Sequence, residues 1–116
     1  MFLDSWAWIE IFNGTGNGKK ILELIKDKEV FCSSLNISEV AYWCIKNSKD
    51  VEKYTCEVMN NATVLDPDAK TSKKAGIAMF ELRKTEKDIG MIDVIIYTQA
   101  MEIGEILIST FIRYFQ

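Results

Sequence analysis

The sequence predicts an α/β fold, arranged as three α/β/α layers around a central parallel sheet of about four strands. Three observations carry that expectation. Short stretches rich in β-formers alternate with helically periodic segments along the whole chain, the pattern of βαβ units feeding a parallel sheet. Hydrophobic residues make up 48% of the 116 residues, enough for a shared core. There are no internal repeats or low-complexity tracts and only one proline, so residues 1–116 read as a single domain.

Phe2-Leu3 opens a short strand that ends at Asp4-Ser5. Trp6, Trp8, Ile9 and Phe12 then form a short helix that leads into Asn13-Gly14-Thr15-Gly16-Asn17-Gly18, read as a glycine-rich surface loop. Ile21, Leu24 and Ile25 recur at helical spacing between Lys19 and Asp27, and Glu29-Val30-Phe31-Cys32-Ser33 reads as a second strand. Asn36 or Ser38 can cap a helix carrying Val40, Ala41, Cys44 and Ile45, and Ser48 or Asp50 can cap another carrying Val51, Tyr54 and Val58. Ala62-Thr63-Val64-Leu65 is a third strand. Asp66-Pro67 supplies a cap and a first-turn proline for a helix running to about Arg83, striped by Ala75, Ala78, Met79 and Leu82. A charged connection from Lys84 to Gly90 precedes an Ile-rich helix from Met91, which stops at Gly104 before the strand Glu105-Ile106-Leu107-Ile108-Ser109. In such sheets sites form beyond the carboxyl ends of strands, where Asp4, Ser33-Ser34 and Ser109 lie.

Composition narrows the chemistry. The chain has no histidine, which removes the usual general base, the usual zinc ligand and the Ser/His and Cys/His nucleophile pairs, so any catalysis must rest mainly on carboxylates. A formal charge of -3 argues against nonspecific nucleic-acid affinity from net charge alone. Cys32, Cys44 and Cys56 are odd in number, lack a CxxC pair and read as buried free thiols. No apolar run approaches the roughly 20 residues of a membrane span, and Met1-Phe2-Leu3-Asp4 has no signal-peptide layout, so a cytoplasmic location is expected. The sequons at Asn13, Asn36 and Asn61 are chance matches in that setting.

The loop from Asn13 to Lys20 misses both phosphate-binding fingerprints: Asn13 and Lys20 stand where a Walker loop needs Gly and Ser/Thr. Three acids remain for a parallel sheet to gather: Asp4 after the first strand, Glu39 in the first turn of a helix, and Asp93 opening the Ile-rich helix. Each also has a structural reading. Asp4 can cap the helix that follows it, Glu39 can be the reciprocal partner of an Asn36 cap, and Asp93 can favour a helix N-terminus through the dipole. Trp6, Trp8, Tyr42 and Trp43 suit core or dimer packing and, less commonly, stacking on unpaired bases. Lys73, Lys74, Arg83, Lys84 and Lys87 read as a solvated face that could also meet phosphates.

Three segments together resemble the PIN domain family and its VapC-type toxin ribonucleases: Phe2-Leu3-Asp4-Ser5-Trp6-Ala7-Trp8-Ile9-Glu10, Leu35-Asn36-Ile37-Ser38-Glu39-Val40, and Gly90-Met91-Ile92-Asp93-Val94-Ile95-Ile96-Tyr97-Thr98-Gln99-Ala100. The resemblance implies a PIN-like fold and a metal-dependent endoribonuclease. Asp4, Glu39 and Asp93 would be its catalytic residues and ligands for Mg²⁺ or Mn²⁺, hard cations that prefer oxygen donors. Ser109 matches a Ser/Thr that the family places near its metals, while Ser5 and Ser38 neighbour the acids. The implied substrate is RNA, and the implied partners are a VapB-type antitoxin and a second copy in a homodimer, with no membrane. The family's fourth acid is missing, because Phe111 stands where Asp is expected. The chain stops before the further strand that the family normally adds, so the C-terminal end reads as truncated, frame-shifted or divergent. The alternative is a PIN-like binding or interaction module that keeps the fold and has lost turnover.

Overall fold

The computed structural model describes residues 1–110. Its elements are β1 (Phe2–Leu3), α1 (Ser5–Asn13), α2 (Gly16–Ile25), β2 (Phe31–Ser33), α3 (Ser34–Lys46), α4 (Val51–Asn61), β3 (Thr63–Leu65), α5 (Ala69–Leu82), α6 (Met91–Glu102) and β4 (Leu107–Ile108). The four strands form one sheet in the order β3-β2-β1-β4, all parallel. The expected α/β/α layering and parallel sheet are therefore present.

Strand alternation sorts the core into two faces, because successive side chains of a strand point to opposite sides. Leu3 and Cys32 belong with Ala7, Trp8, Ile21, Val40, Cys44 and Val58 in the layer built by α1 to α4. Phe2, one residue earlier in the same strand, packs with Ile96 and Ala100 of α6, joined by Phe31, Leu65 and Leu107. The register agrees, since Phe2 stands opposite both Phe31 and Leu107. A third cluster of Ala75, Met79, Ile89 and Val94 fastens α5 to α6.

Several boundaries differ from the sequence expectation for local reasons. The glycine-rich segment is mostly helix rather than loop: Thr15 caps α2 by accepting the Gly18 N–H at 3.0 Å, and only Gly14, at φ 63, makes the left-handed break. Neither Asn36 nor Ser38 caps α3. Ser33 does so, accepting the Leu35 N–H at 3.2 Å, which starts the helix earlier and places Glu39 in its second turn. Asp50 caps α4, one of the two candidates. Asp68, not Asp66, caps α5 by accepting the Thr71 N–H at 2.7 Å, so Pro67 precedes the helix. Cys32 and Cys44 are buried as expected, whereas Cys56 is exposed on α4. Burial pushes the Cys32 thiol up to about 11, keeping it neutral near pH 7. No helix among the described residues is long and apolar enough to cross a membrane.

Candidate functional site

The strand order puts β1 at the point where connections turn to opposite sides of the sheet, toward β2 on one flank and β4 on the other. Asp4 sits there. Its N–H donates to the Ile108 carbonyl at 3.2 Å, and its Oδ1 accepts the Ala7 N–H at 3.0 Å, capping α1. The structural reading of Asp4 is therefore true, but it does not account for the side chain's energetics. Asp4 is only 6% exposed, and burial, reinforced by the negative charges of Asp93 and Glu39, raises its pKa from 3.8 to about 6. Hydrogen bonds from the Ser109 hydroxyl and the Ala7 N–H oppose that rise. A cap alone would be better served by a neutral or solvated side chain.

Glu39 reaches the same place from α3. Its Oε1 accepts the Ser5 hydroxyl at 2.5 Å, a residue 34 positions away, so it is not the reciprocal partner of an Asn36 cap. Ser5 Oγ in turn accepts Asn36 Nδ2 at 3.0 Å, and Asn36 Oδ1 accepts the Ser33 N–H at 2.8 Å. This buried relay ties the end of β2 to α1 and holds Glu39 at its outer end. Asn36 is fully buried, so removing its amide strands the Ser33 N–H and frees Ser5. Asn36→Ala is expected to destabilise the fold by about 2 kcal/mol, measured by urea unfolding, because a buried donor left unpaired costs its full desolvation.

Asp93 stands in the first turn of α6, where its Oδ2 accepts the Gly90 N–H at 3.3 Å, so its helix-terminus reading also holds. Burial and the charge of Glu39 raise its pKa, against the Gly90 hydrogen bond. Asp4, Glu39 and Asp93 line one cavity of about 720 Å³, together with Ser5 and Ser38. Ser109 is buried beside it and reaches Asp4 directly.

A divalent cation can be tested against these residues. The donor set fits a hard ion: three carboxylates from separate elements face one cavity, two carry raised pKa values, and none is in an ion pair among the described residues. Among the described residues, though, no three His, Cys, Asp or Glu side chains form a group that could by itself hold an ion. Phe111, in the place of the family's fourth acid, lies outside the described residues.

Other residues fall differently from the sequence reading. Trp8 and Trp43 join Phe12 and Tyr54 in a cluster of ring contacts with centroids 4.8–6.2 Å apart, while Trp6 and Tyr42, outside that cluster, line the acidic cavity together with Trp43. Of the five basic residues singled out, none lines it: Lys74 faces Glu102 at 3.6 Å, Lys84 faces Glu81 at 3.1 Å, and Arg83 donates to the Ile89 carbonyl. The cavity's basic residue is Lys46, beside Asn47 at the end of α3. Sequence reasoning passed over Lys46 because a lone lysine closing a helix has an ordinary role toward the dipole. Helical spacing was the available signal, since Glu39, Tyr42 and Lys46 fall on one face at steps of three and four.

Fold and geometry together define a three-layer α/β/α domain with an acid-lined cleft at its topological switch point. The PIN domain family matches residues 1–115, and the chain belongs to that family. No curated protein matches it significantly. Among solved structures, VapBC2 from Rickettsia felis, bound to a DNA fragment from its promoter, is similar with a TM-score of 0.73 at 22% identity, over 97% of this chain and 89% of that one. A toxin–antitoxin complex from Klebsiella pneumoniae gives 0.76 at 18% identity, over 93% and 83%. VapC20 from Mycobacterium tuberculosis, a toxin that cleaves the Sarcin-Ricin loop, gives 0.68 at 16% identity, over 90% and 83%.

Proposed function

We propose that the chain is a metal-dependent endoribonuclease of the VapC toxin type, hydrolysing RNA phosphodiester bonds. The observation that carries this reading is the convergence of Asp4, Glu39 and Asp93 on one cavity, with the buried Asp4 carboxyl raised to about 6. Similarity in fold to toxins of toxin–antitoxin pairs supports it.

Asp4, Glu39 and Asp93 would hold Mg²⁺ or Mn²⁺. Such an ion, when bound, lowers the pKa of a water and offsets charge building on the scissile phosphate. The chain's own residues prepare the cleft. Above about pH 6 Asp4 presents a charged carboxylate whose Oδ1 is anchored by Ala7 and which Ser109 steadies. Ser5 fixes one Glu39 oxygen and leaves the other outside that bond, while Asn36 keeps the Ser5 hydroxyl pointed at Glu39 by donating to its oxygen. Gly90 likewise engages one Asp93 oxygen. The same reading carries a VapB-type antitoxin as protein partner, a homodimer as the assembly and the cytoplasm as the location. Cleavage of single-stranded and structured RNA with Mn²⁺ tests it: the natural protein is expected to cut and Asp4→Asn to lose cutting. Equal cleavage by the two would remove the mechanism.

A second reading, a PIN-like binding module without turnover, is favoured by two observations: among the described residues no three His, Cys, Asp or Glu side chains form a group that could hold an ion, and Phe111 occupies the fourth acidic position. Phe111→Asp separates the readings. Cleavage gained only in that variant assigns the natural chain to the module; cleavage already present in the natural chain assigns it to the nuclease.

A further inference from the structure

Beyond the acids, the cavity continues along α3. Glu39, Tyr42 and Lys46 occupy one face of that helix, and its rise of about 1.5 Å per residue sets Lys46 roughly 10 Å from Glu39 with the tyrosine between them. Trp6 and Ile9 of α1 also line it, as do Trp43 and Asn47, the neighbour of Lys46 in sequence.

The aromatic residues here differ in kind from their neighbours. Trp8, Phe12 and Tyr54 pack in a ring cluster with Trp43, which reaches the cavity as well. Tyr42 is 69% exposed and has no hydrogen bond or ring contact among the described residues, and Trp6 is half-buried outside that ring cluster. An exposed aromatic side chain on a cavity wall forfeits burial that the core could have supplied. Lys46 makes no ion pair among the described residues.

We propose that Trp6, Ile9 and Tyr42 form a subsite for an unpaired RNA base, with Lys46 and Asn47 receiving the backbone phosphate on its far side; this rests on the ribonuclease reading and names its substrate as single-stranded. Three features select a nucleotide. Every base offers a π-face that stacks on an aromatic ring whatever its identity. The order along the cleft is acids, apolar ledge, cation, so a strand laid across it puts one phosphate at the carboxylates and a neighbouring phosphate at Lys46. The volume of about 720 Å³ falls within the roughly 300–1,000 Å³ of small-ligand sites, ample for one nucleotide. An apolar protein segment would leave Lys46 and the three carboxylates without a complement. A duplex cannot use the ledge, because its bases are already stacked.

The test is equilibrium binding of a fluorescently labelled, unstructured oligonucleotide RNA to the intact chain with Ca²⁺ in place of Mn²⁺, a hard cation that can neutralise the carboxylates, with the RNA checked to be intact afterwards. Tyr42→Ala is expected to weaken binding about ten-fold, the scale of one lost base stack, and Tyr42→Phe to keep it, because stacking needs the ring and not the hydroxyl. Lys46→Gln should lower the salt dependence of log K by about 0.7, the contribution of one phosphate on a single strand. Circular dichroism on each variant establishes that the fold is kept. Equal binding by Tyr42→Ala and the natural protein overturns the subsite and leaves the ledge to a protein segment, as does an equal loss for a fully paired duplex. Loss of binding in Tyr42→Ala, in a protein whose cleavage with Mn²⁺ is unaffected by Asp4→Asn, keeps the subsite and sinks the carboxylate mechanism.

Discussion

Asp4→Asn is expected to make the cation-free protein more stable at pH 7, by up to about 3 kcal/mol, although it removes a charge from a residue that caps a helix. The Asp4 carboxyl has a pKa of 3.8 unfolded and about 6 folded, with burial as the main cause and the charges of Asp93 and Glu39 added to it. Each pH unit between those values is worth about 1.4 kcal/mol, so ionising Asp4 inside the fold costs about 3 kcal/mol relative to the neutral acid. The direction follows from proton counting. Between pH 3.8 and 6 the folded state holds a proton on Asp4 that the unfolded state has released. The stabilisation is complete below 3.8 and is lost as pH rises to about 6. Asparagine is neutral throughout, and its Oδ1 can accept the Ala7 N–H that Asp4 now takes at 3.0 Å. Urea unfolding at pH 4.5 and pH 7 should therefore show a variant whose advantage grows with pH. An advantage that shrinks toward pH 7 would mean that Asp4 is not buried at a cost.

Gly18→Ala is expected to be the most damaging single methyl addition in α1 or α2. Gly18 is buried in the first turn of α2, and a Cβ there would lie 2.1 Å from the Glu10 carbonyl oxygen and 2.6 Å from its carbon. Both atoms are backbone, so no side chain can swing aside and α1 and α2 must separate. The loss is expected to reach about 3 kcal/mol, the upper end of ordinary overpacking. Gly16→Ala, two residues earlier in the same helix, meets nothing within 4 Å and should leave stability unchanged or slightly raised. Thermal unfolding of the pair checks this; similar midpoints would show that the helices do not touch at Gly18.

Much of the fold was legible because its periodicities are strong. Phe2-Leu3, Phe31 to Ser33 and Thr63 to Leu65 are β-rich and bounded by helical stretches, and all became strands of one parallel sheet. The acids were legible by position, as Asp4 follows a strand and Asp93 opens a helix. The parts that escaped depend on partners distant in sequence or on competition between nearby caps. Asn36 looked like a helix cap, but its amide joins Ser33 to Ser5, 31 residues away, and no local pattern announces that bond. Asp66 before Pro67 looked like the cap of α5, but Asp68, two residues on, takes that role through its bond to Thr71. Thr15 turns two glycines into the opening of a helix, a case where one cap outweighs poor intrinsic propensity. The division of the aromatic residues between core and cavity depends on which way α1 and α3 face, which is set by packing.

The central claim is that three carboxylates brought together by the fold form a place only a hard cation can neutralise. Its most direct measurement is the thermal midpoint at pH 7 across a Mn²⁺ titration, for the natural protein and for Asp4→Asn, Glu39→Gln and Asp93→Asn. A ligand that binds only the folded state raises stability by about 2.7 kcal/mol at one hundred times its Kd. The natural protein's midpoint should therefore climb with Mn²⁺ while each variant's stays nearly flat. A natural protein indifferent to Mn²⁺, or variants that climb with it equally, would contradict the claim.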